Sequence, residues 1–464
     1  MFQKILVANR GEIALRAIRE CREMGIKSAA VYSDADADAL FVRHADEAFP
    51  LGDPDPNASY LNIEKILKIA KDSGAEAVYP GYGFLAENPV FVEACESRGI
   101  EFIGPPAFSM HEAKPKHKSR DLMKAHGIPV SPGSDGAIED ADSMSKAFDI
   151  AEGIGYPVIV KPSGAGGGIG MKIAKDRNEL AAAMDYAKSL GSETFGLAAF
   201  YLEKYVTRAK HIEFQVLADK KGNTVYVSDR ECSVQRRYQK LIEEGPSPIM
   251  TPDLRSKMGA TAVQIAKILK YVNALTVEFI YSMDTNEYYF NEVNTRLQVE
   301  HPITELLTGI NLVKEQIKIA AGQELGYSQN DINLRGWAIE CRINAEDPFM
   351  NFMPAPAKLT AYDPPGGFGV RVDGGVYAGY TMPFYYDPLA AKLLSWGRNR
   401  EEAVATMKRA LREYRVEGIK TNIPFHLVAL ENESFLRGDY TTHFVEEQGI
   451  LKKLRELKKA GVFS

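Results

Sequence analysis

Cysteine is scarce in this chain: Cys21, Cys95, Cys232 and Cys341 are four among 464 residues, and none stands at metal-ligand spacing. That excludes a disulfide scaffold and a cysteine zinc site, and it points to a reduced, cytoplasmic setting. Long apolar runs are missing too. None reaches 18 residues, and Met1–Ala8 meets Arg10 and Glu12 too soon for a signal peptide, so neither a membrane span nor secretion is expected. Basic excess is absent: the formal net charge is −6, with no face-long Lys/Arg stripe, which argues against a nucleic-acid partner. Two nucleotide fingerprints are also lacking. Ala8-Asn9-Arg10-Gly11-Glu12 after the first apolar strand is not G-x-G-x-x-G, and no Gly-Lys-Ser/Thr closes a glycine loop. No internal repeat, low-complexity tract or long linker occurs.

What is present reads as about three domains. Lys4–Val7, Ser28–Tyr32, Ala77–Tyr79 and Glu101–Ile103 are short strands alternating with helices Asn9–Gly25, Tyr60–Ser73 and Pro89–Arg98. Such alternation predicts a parallel sheet covered by helices on both faces. The loop Pro80–Asn88 (PGYGFLAEN) leaves a strand's carboxyl end, where open α/β sheets bind ligands; its glycines serve either that purpose or a tight turn. A second region opens near Lys114. There Pro157–Lys161 enters the stretch Ser163–Gly170 (SGAGGGIG), and Met171–Ala174 leaves it as a strand. Strand follows where a P-loop would require helix, so the reading is a glycine hairpin closing over phosphates as a flap. Strands Phe200–Tyr205, His211–Ala218 and Thr224–Val227 follow. Alternation along Arg236, Tyr238 and Lys240 would turn all three toward an anion, though a charge run is most often a solvated face.

The densest signal is Asn291–Pro302 (NEVNTRLQVEHP). At a period of two, Glu292, Asn294, Arg296, Gln298 and Glu300 share one face and Val293, Thr295, Leu297 and Val299 the other. Upstream, Leu275–Tyr281 and Glu287–Val293 read as a hairpin with Asp284-Thr285-Asn286 as a three-residue loop and Asn286 left-handed. Opposed residues then sum to 570, which sets Glu278 across from Glu292. Two facing carboxylates repel, and a shared divalent cation with oxygen ligands relieves that. The expectation is a metal site running into an anion site.

These stretches resemble the biotin carboxylase family within the ATP-grasp fold. The matching motifs are ANRGEIALR, GYGFLAENP, the glycine flap, CSVQRRYQKLIEE, EVNTRLQVEHPITE, AIECRINAEDP, GYTMPFYYDPLAAKL and GIKTNIPF, which span the chain. The resemblance implies an α/β fold: a doubly wound parallel-sheet domain over 1–113, an ATP-grasp domain over 114–330 with a flap subdomain at about 131–204, an α+β domain over 331–446 and a helical tail over 447–464. It implies ATP-dependent carboxylation of biotin by bicarbonate through carboxyphosphate, giving ADP and phosphate. Glu278 and Glu292 would hold Mg²⁺ (or Mn²⁺), with Asn294 nearby. Lys116, Lys161, Gly166, Gly167, Gly168, His211 and Gln235 would contact ATP, and Glu203 and Lys204 its adenine end. Lys240, Arg296, Gln298 and Val299 would cradle bicarbonate. Glu300 would be the general base, the alternative being a salt-bridge partner that orients Arg296. Arg342 would stabilise the biotin enolate.

Four positions depart from the family's pattern: Lys114-Pro115 in place of Gly-Asp, Ile169 in place of a cation, Tyr238 and Trp337 in place of histidines. Tyr238 and Ile169 bear on ATP affinity rather than on the chemistry. No Ala/Val-Met-Lys-Met biotinylation motif occurs, so biotin is expected on a separate carrier protein. A homodimeric state and a carboxyltransferase subunit are implied by the resemblance alone. The final carboxyl acceptor is not legible here. Two rivals are another ATP-grasp carboxylate ligase and a non-catalytic nucleotide-binding scaffold subunit; retention of the charged row Arg296–Glu300 and of Arg342 speaks against both.

Overall fold

The computed structural model describes residues 1–114, 116–138, 143–162, 170–195 and 199–463. Five strands, β1 (Lys4–Val7), β2 (Lys27–Ser33), β3 (Glu47–Gly52), β4 (Ala77–Tyr79) and β5 (Glu101–Phe102), form a sheet in the order β3-β2-β1-β4-β5. Every pairing in it is parallel, as the alternating pattern predicts; β3 and the short helix Leu40–His44 lack a clear periodic signal in the sequence. The order reverses direction between β1 and β4. Loops after those two strands, Asn9–Gly11 and Tyr82–Phe84, therefore open side by side at a switch point, the place where such sheets take ligands. Asn9 locks them together, donating through Nδ2 to the Pro80 and Tyr82 carbonyls at 2.6 and 2.7 Å. Asn88 then ends the loop by capping helix Pro89–Glu96 through the Val90 amide, with proline at the first helical position where its missing N–H is harmless.

The flap region has its own small sheet, β6 (Val158–Pro162), β7 (Lys172–Ala174) and β8 (Phe200–Lys204), in the order β7-β6-β8. β6 and β7 pair antiparallel, Val160 opposite Lys172, so the glycine stretch joins two strands as expected. Residues 163–169 themselves, including Gly166, Gly167, Gly168 and Ile169, lie outside the described residues, as do Pro115 and the side chain of Lys116. Val158, Val160, Leu180, Met184, Phe200 and Leu202 fill a core belonging to this subdomain alone.

The central sheet runs β13-β12-β9-β10-β11-β14, continued by strands Leu389–Gly397 and Val370–Gly374. Here β9 is Ala209–Ala218, β10 Thr224–Arg236, β11 Gln239–Gly245, β12 Asn273–Ser282, β13 Tyr288–Asn294 and β14 Trp337–Asn344. The sheet crosses the expected boundary at 330: β11 and β14 are hydrogen-bonded neighbours, Ile242 opposite Cys341. Core packing crosses it as well, since one cluster joins Ile5 and Ile13 to Leu217, Leu297 and Val376. Among the described residues no helix is long and apolar enough to cross a membrane.

Three local expectations are corrected. Opposed residues in the β12–β13 hairpin sum to 569 next to the turn (Tyr281 with Tyr288) and to 570 only beyond a bulge, where Glu278 meets Glu292. The loop is thus one residue longer, with Asn286 left-handed at φ 57°. The polar row is not one strand: β13 ends at Asn294, and Glu300 stands at the start of helix His301–Thr308. Pro302 at a first-turn position explains why the chain turns into helix there. Finally, Arg236, Tyr238 and Lys240 do not alternate along a strand. Arg237 and Tyr238, at φ 49° and 66°, form the two-residue turn of a hairpin in which Arg236 faces Gln239 and Gln235 faces Lys240.

Candidate active site

A cleft of about 1000 Å³ opens where the three parts meet. Lys161, Glu203, Lys204, His211, Gln235, Lys240, Glu278, Glu292, Asn294, Arg296, Gln298, Val299 and Arg342 all line it. Glu300 sits just behind, fully buried. Residues from Lys161 to Arg342, far apart along the chain, thus share one cavity.

Lys240 is the hub. Its ammonium lies 2.6 Å from Glu213, 2.9 Å from Glu278 and 2.7 Å from Glu300, so each of its three N–H donors meets a carboxylate. Burial opposes its charge, but these three carboxylates overcome that and hold Lys240 well above its ordinary value. For Glu300, burial favours the neutral acid, yet Lys240 and then Arg342 outweigh it and leave the carboxyl far below its usual range. The contest between desolvation and cations is therefore decided for the cations, and Glu300 is ionised at any working pH. Its two oxygens are divided: Oε1 takes Lys240, and Oε2 takes Arg342 Nη2 at 2.9 Å.

Arg296 is not a partner of Glu300. Its guanidinium reaches Gln298 Oε1 at 3.0 Å, Asn294 Oδ1 at 3.2 Å and, through Nε, Glu87 at 3.1 Å. Glu87 also accepts the Thr295 amide at 3.1 Å. The loop PGYGFLAEN is thus both a tight turn and a support for the Thr295-Arg296 segment, and Glu87 is a contact the sequence reading missed. Arg342 is set by its surroundings too: Nε donates to Glu243 at 2.6 Å. Its carbonyl accepts from Asn422 Nδ2 and His426 Nε2 at 2.9 and 2.8 Å. That gives Asn422 of GIKTNIPF a purpose; Glu243 and Glu244, at the end of the charge run, are buried. Glu213, the other missed member, stands two residues after His211 on β9; period-two reading of H-I-E would have placed both on one face.

Glu278 and Glu292 are opposed across β12 and β13, but Glu278 is not left to repulsion. Oε1 accepts from Lys240, Asn294 Nδ2 at 3.0 Å and Gln298 Nε2 at 3.2 Å. Burial would raise its pKa; Lys240 and His211 instead hold it well below the carboxylate range. Glu278 Oε2 meets His211 Nε2 at 3.1 Å, off the line of a hydrogen bond. A hard, ionised oxygen (Oε2) beside a second glutamate on the neighbouring strand, both lining the cleft, fits Mg²⁺ or Mn²⁺. The buried groupings His211–Glu213–Glu278 and Glu213–Cys232–Glu300 are less apt, because Lys240 and Arg230 already neutralise Glu213.

At the other end of the cleft, Lys161 pairs with Glu203 at 2.7 Å. The Lys204 side chain turns away, to the Gly155 and Tyr156 carbonyls. The Lys204 and Tyr205 amides donate to the Pro132 and Pro157 carbonyls. Of the four departures, Tyr238 is half exposed at the hairpin tip and lines the cleft. Trp337 is remote from it, donating to Glu244 at 2.6 Å.

Comparison with known proteins agrees with this layout. The family "Biotin carboxylase, N-terminal domain" matches residues 1–110, "Carbamoyl-phosphate synthase L chain, ATP binding domain" residues 115–328, and "Biotin carboxylase C-terminal domain" residues 340–447. A pyruvate carboxylase subunit of Methanothermobacter thermautotrophicus is 55% identical over 99% of this chain and 93% of its own. Biotin carboxylase 1 of Bacillus subtilis is 50% identical over 97% and 100%. Among solved structures, the biotin carboxylase domain dimer of Hydrogenobacter thermophilus 2-oxoglutarate carboxylase, with MgADP, ADP and bicarbonate, superposes at a TM-score of 0.92. It shares 46% identity over 97% of this chain and 98% of that one. With three successive family matches and relatives about half identical over nearly the whole chain, this chain belongs to the biotin carboxylase family.

Proposed function

We propose that the cleft carries out ATP-dependent carboxylation of biotin by bicarbonate, with Glu300 as the base and Arg342 as the oxyanion partner. The observation that carries this reading is the division of the Glu300 carboxylate between Lys240 and Arg342, beside Arg296. Bicarbonate is a weak nucleophile toward the γ-phosphate until its proton leaves. Arg296, Gln298 and the Val299 segment orient the anion, and Glu300 accepts its proton as the oxygen attacks. A strongly cation-bound carboxylate is a weak base, so charge must be shared between it and the incoming anion. Lys240 and Arg342, the two cations that hold Glu300, border the cleft and are the charges the anion would share. Mg²⁺ or Mn²⁺ held by Glu278 and Glu292, with Asn294 nearby, would neutralise phosphate charge. Lys161, His211 and Gln235 face the phosphate side, and Glu203 with Lys204 the base end. ADP leaves as the carboxyphosphate forms; its carboxyl carbon then bonds to the biotin ureido nitrogen as the C–O bond to phosphate breaks, and the departing phosphate takes the ureido proton. Arg342, always charged, meets the negative charge that grows on the ureido oxygen.

Biotin arrives on a separate carrier protein, and a carboxyltransferase takes the carboxyl group onward. A homodimeric, cytoplasmic enzyme is the setting proposed; four buried free cysteines suit it. The test is phosphate release with ATP, Mg²⁺, bicarbonate and biotin, omitting each in turn. Release that needs all four supports the reading. Release indifferent to bicarbonate and biotin would assign the cleft to another ATP-grasp ligation.

A further inference from the structure

Lys392 stands opposite Arg342 in the register between strand Leu389–Gly397 and β14. Directly paired residues send their side chains from the same face, and these two cations grip consecutive residues. Arg342 holds the Glu300 carboxylate, while Lys392 Nζ donates to the Val299 carbonyl at 3.0 Å. Lys392 is fully buried. Its counter-charge is Glu12, 3.1 Å away in the first turn of helix Gly11–Glu23, and the Tyr82 ring lies 5.7 Å from the ammonium. One side chain therefore ties the N-terminal domain, the C-terminal strand and the anion-binding segment together.

Stability alone does not account for this arrangement. Glu12 and Glu340 are both buried beside Lys392, and neither carboxylate has a hydrogen-bonding partner. A buried cation among poorly bonded carboxylates stabilises less than an apolar side chain of the same volume. The one well-aligned bond of the ammonium goes to the backbone that carries Glu300. We propose that Lys392, with Glu12 as its counter-charge, is a positioning residue that pins the Val299–Glu300 peptide so that the Glu300 carboxylate is presented to bicarbonate. This rests on the biotin carboxylase reading given above.

Lys392→Met preserves length and removes the ammonium. In the full-length protein, bicarbonate-dependent ATP cleavage should fall about 10- to 100-fold, as small misplacements of a catalytic group do. The bicarbonate KM should rise while the ATP KM stays within about twofold, and Lys392→Arg should recover part of the loss. A purely structural lysine would raise both KM values together; that result in folded Lys392→Met overturns the proposal. Should Lys392→Met fail to fold, Glu12→Gln assayed above about pH 8 decides, because there the Glu12 carboxyl is ionised and the substitution leaves the lysine while removing its counter-charge. A raised bicarbonate KM at unchanged ATP KM supports the proposal, and wild-type values for both reject it. Wild-type enzyme run alongside separates the two levels: if its phosphate release ignores bicarbonate and biotin, the carboxylase reading fails rather than the role of Lys392.

Discussion

Lys240 and Glu300 are bound to each other at 2.7 Å in the floor of the cleft, and neither charge is free. Lys240 also holds Glu213 and Glu278, so the ends proposed for bicarbonate and for the metal share one ammonium. Perturbing either end should therefore be felt at the other, and the site should respond to substitution as a unit rather than additively.

Replacing Glu300 by Gln should abolish bicarbonate-dependent ATP cleavage, a loss of about 10²-fold or more, while nucleotide affinity persists. Because Lys240 and Arg342 keep Glu300 ionised, no inflection of the wild-type pH–rate profile near neutrality should vanish in this variant. Loss of an inflection near neutrality in Glu300→Gln would contradict that assignment of charge.

Glu278→Gln should cripple Mg²⁺-dependent turnover and also lower the melting temperature of the nucleotide-free protein. The sequence alone suggests relief of repulsion with Glu292, yet Lys240 and His211 make the Glu278 charge favourable. Losing the charge-assisted bond from Lys240 costs about 1.5–3 kcal/mol. A melting temperature that rises would restore the repulsion argument. Depressed carboxylates such as Glu278 and Glu300 contribute stability that is present above their unfolded value near pH 4.3 and lost as pH falls through the folded one, so acid should unfold the site from this cluster.

Glu87→Ala should release Arg296 and loosen the anion site without touching the nucleotide. The expected signature is a bicarbonate KM raised by roughly tenfold, about what a partly exposed charge-assisted bond contributes, with the ATP KM unchanged. Equal changes in both constants would mean that Glu87 merely supports the loop.

Burial pushes the Glu12 carboxyl up to about 7, against the pull of Lys392. Its folded value thus lies above its unfolded one near 4.3. The sign follows: this group's contribution to stability is full below about pH 4 and is lost as pH rises through about 7. Glu12→Gln should flatten the decline in melting temperature between about pH 4 and pH 7 relative to wild type. An unchanged decline would show that the carboxyl is ionised throughout.

Much of this protein is determined by its sequence. Hydrophobic periodicity and the alternation of strand with helix suffice for the parallel N-terminal sheet, because each short apolar run is covered on both sides. Glycine between two strands suffices for the flap hairpin, and the pairing of Glu278 with Glu292 follows from turn chemistry and a period of two, even though a bulge corrects the count near the turn. What only the tertiary structure decides is which charge meets which. Glu87 and Arg296, Glu243 and Arg342, or Lys392 and Val299 are separated by 209, 99 and 93 positions, and no local period links them. The protonation of Glu300 is equally a three-dimensional quantity. It depends on burial and on the distances to Lys240, Arg342 and Arg230, which a linear pattern does not contain.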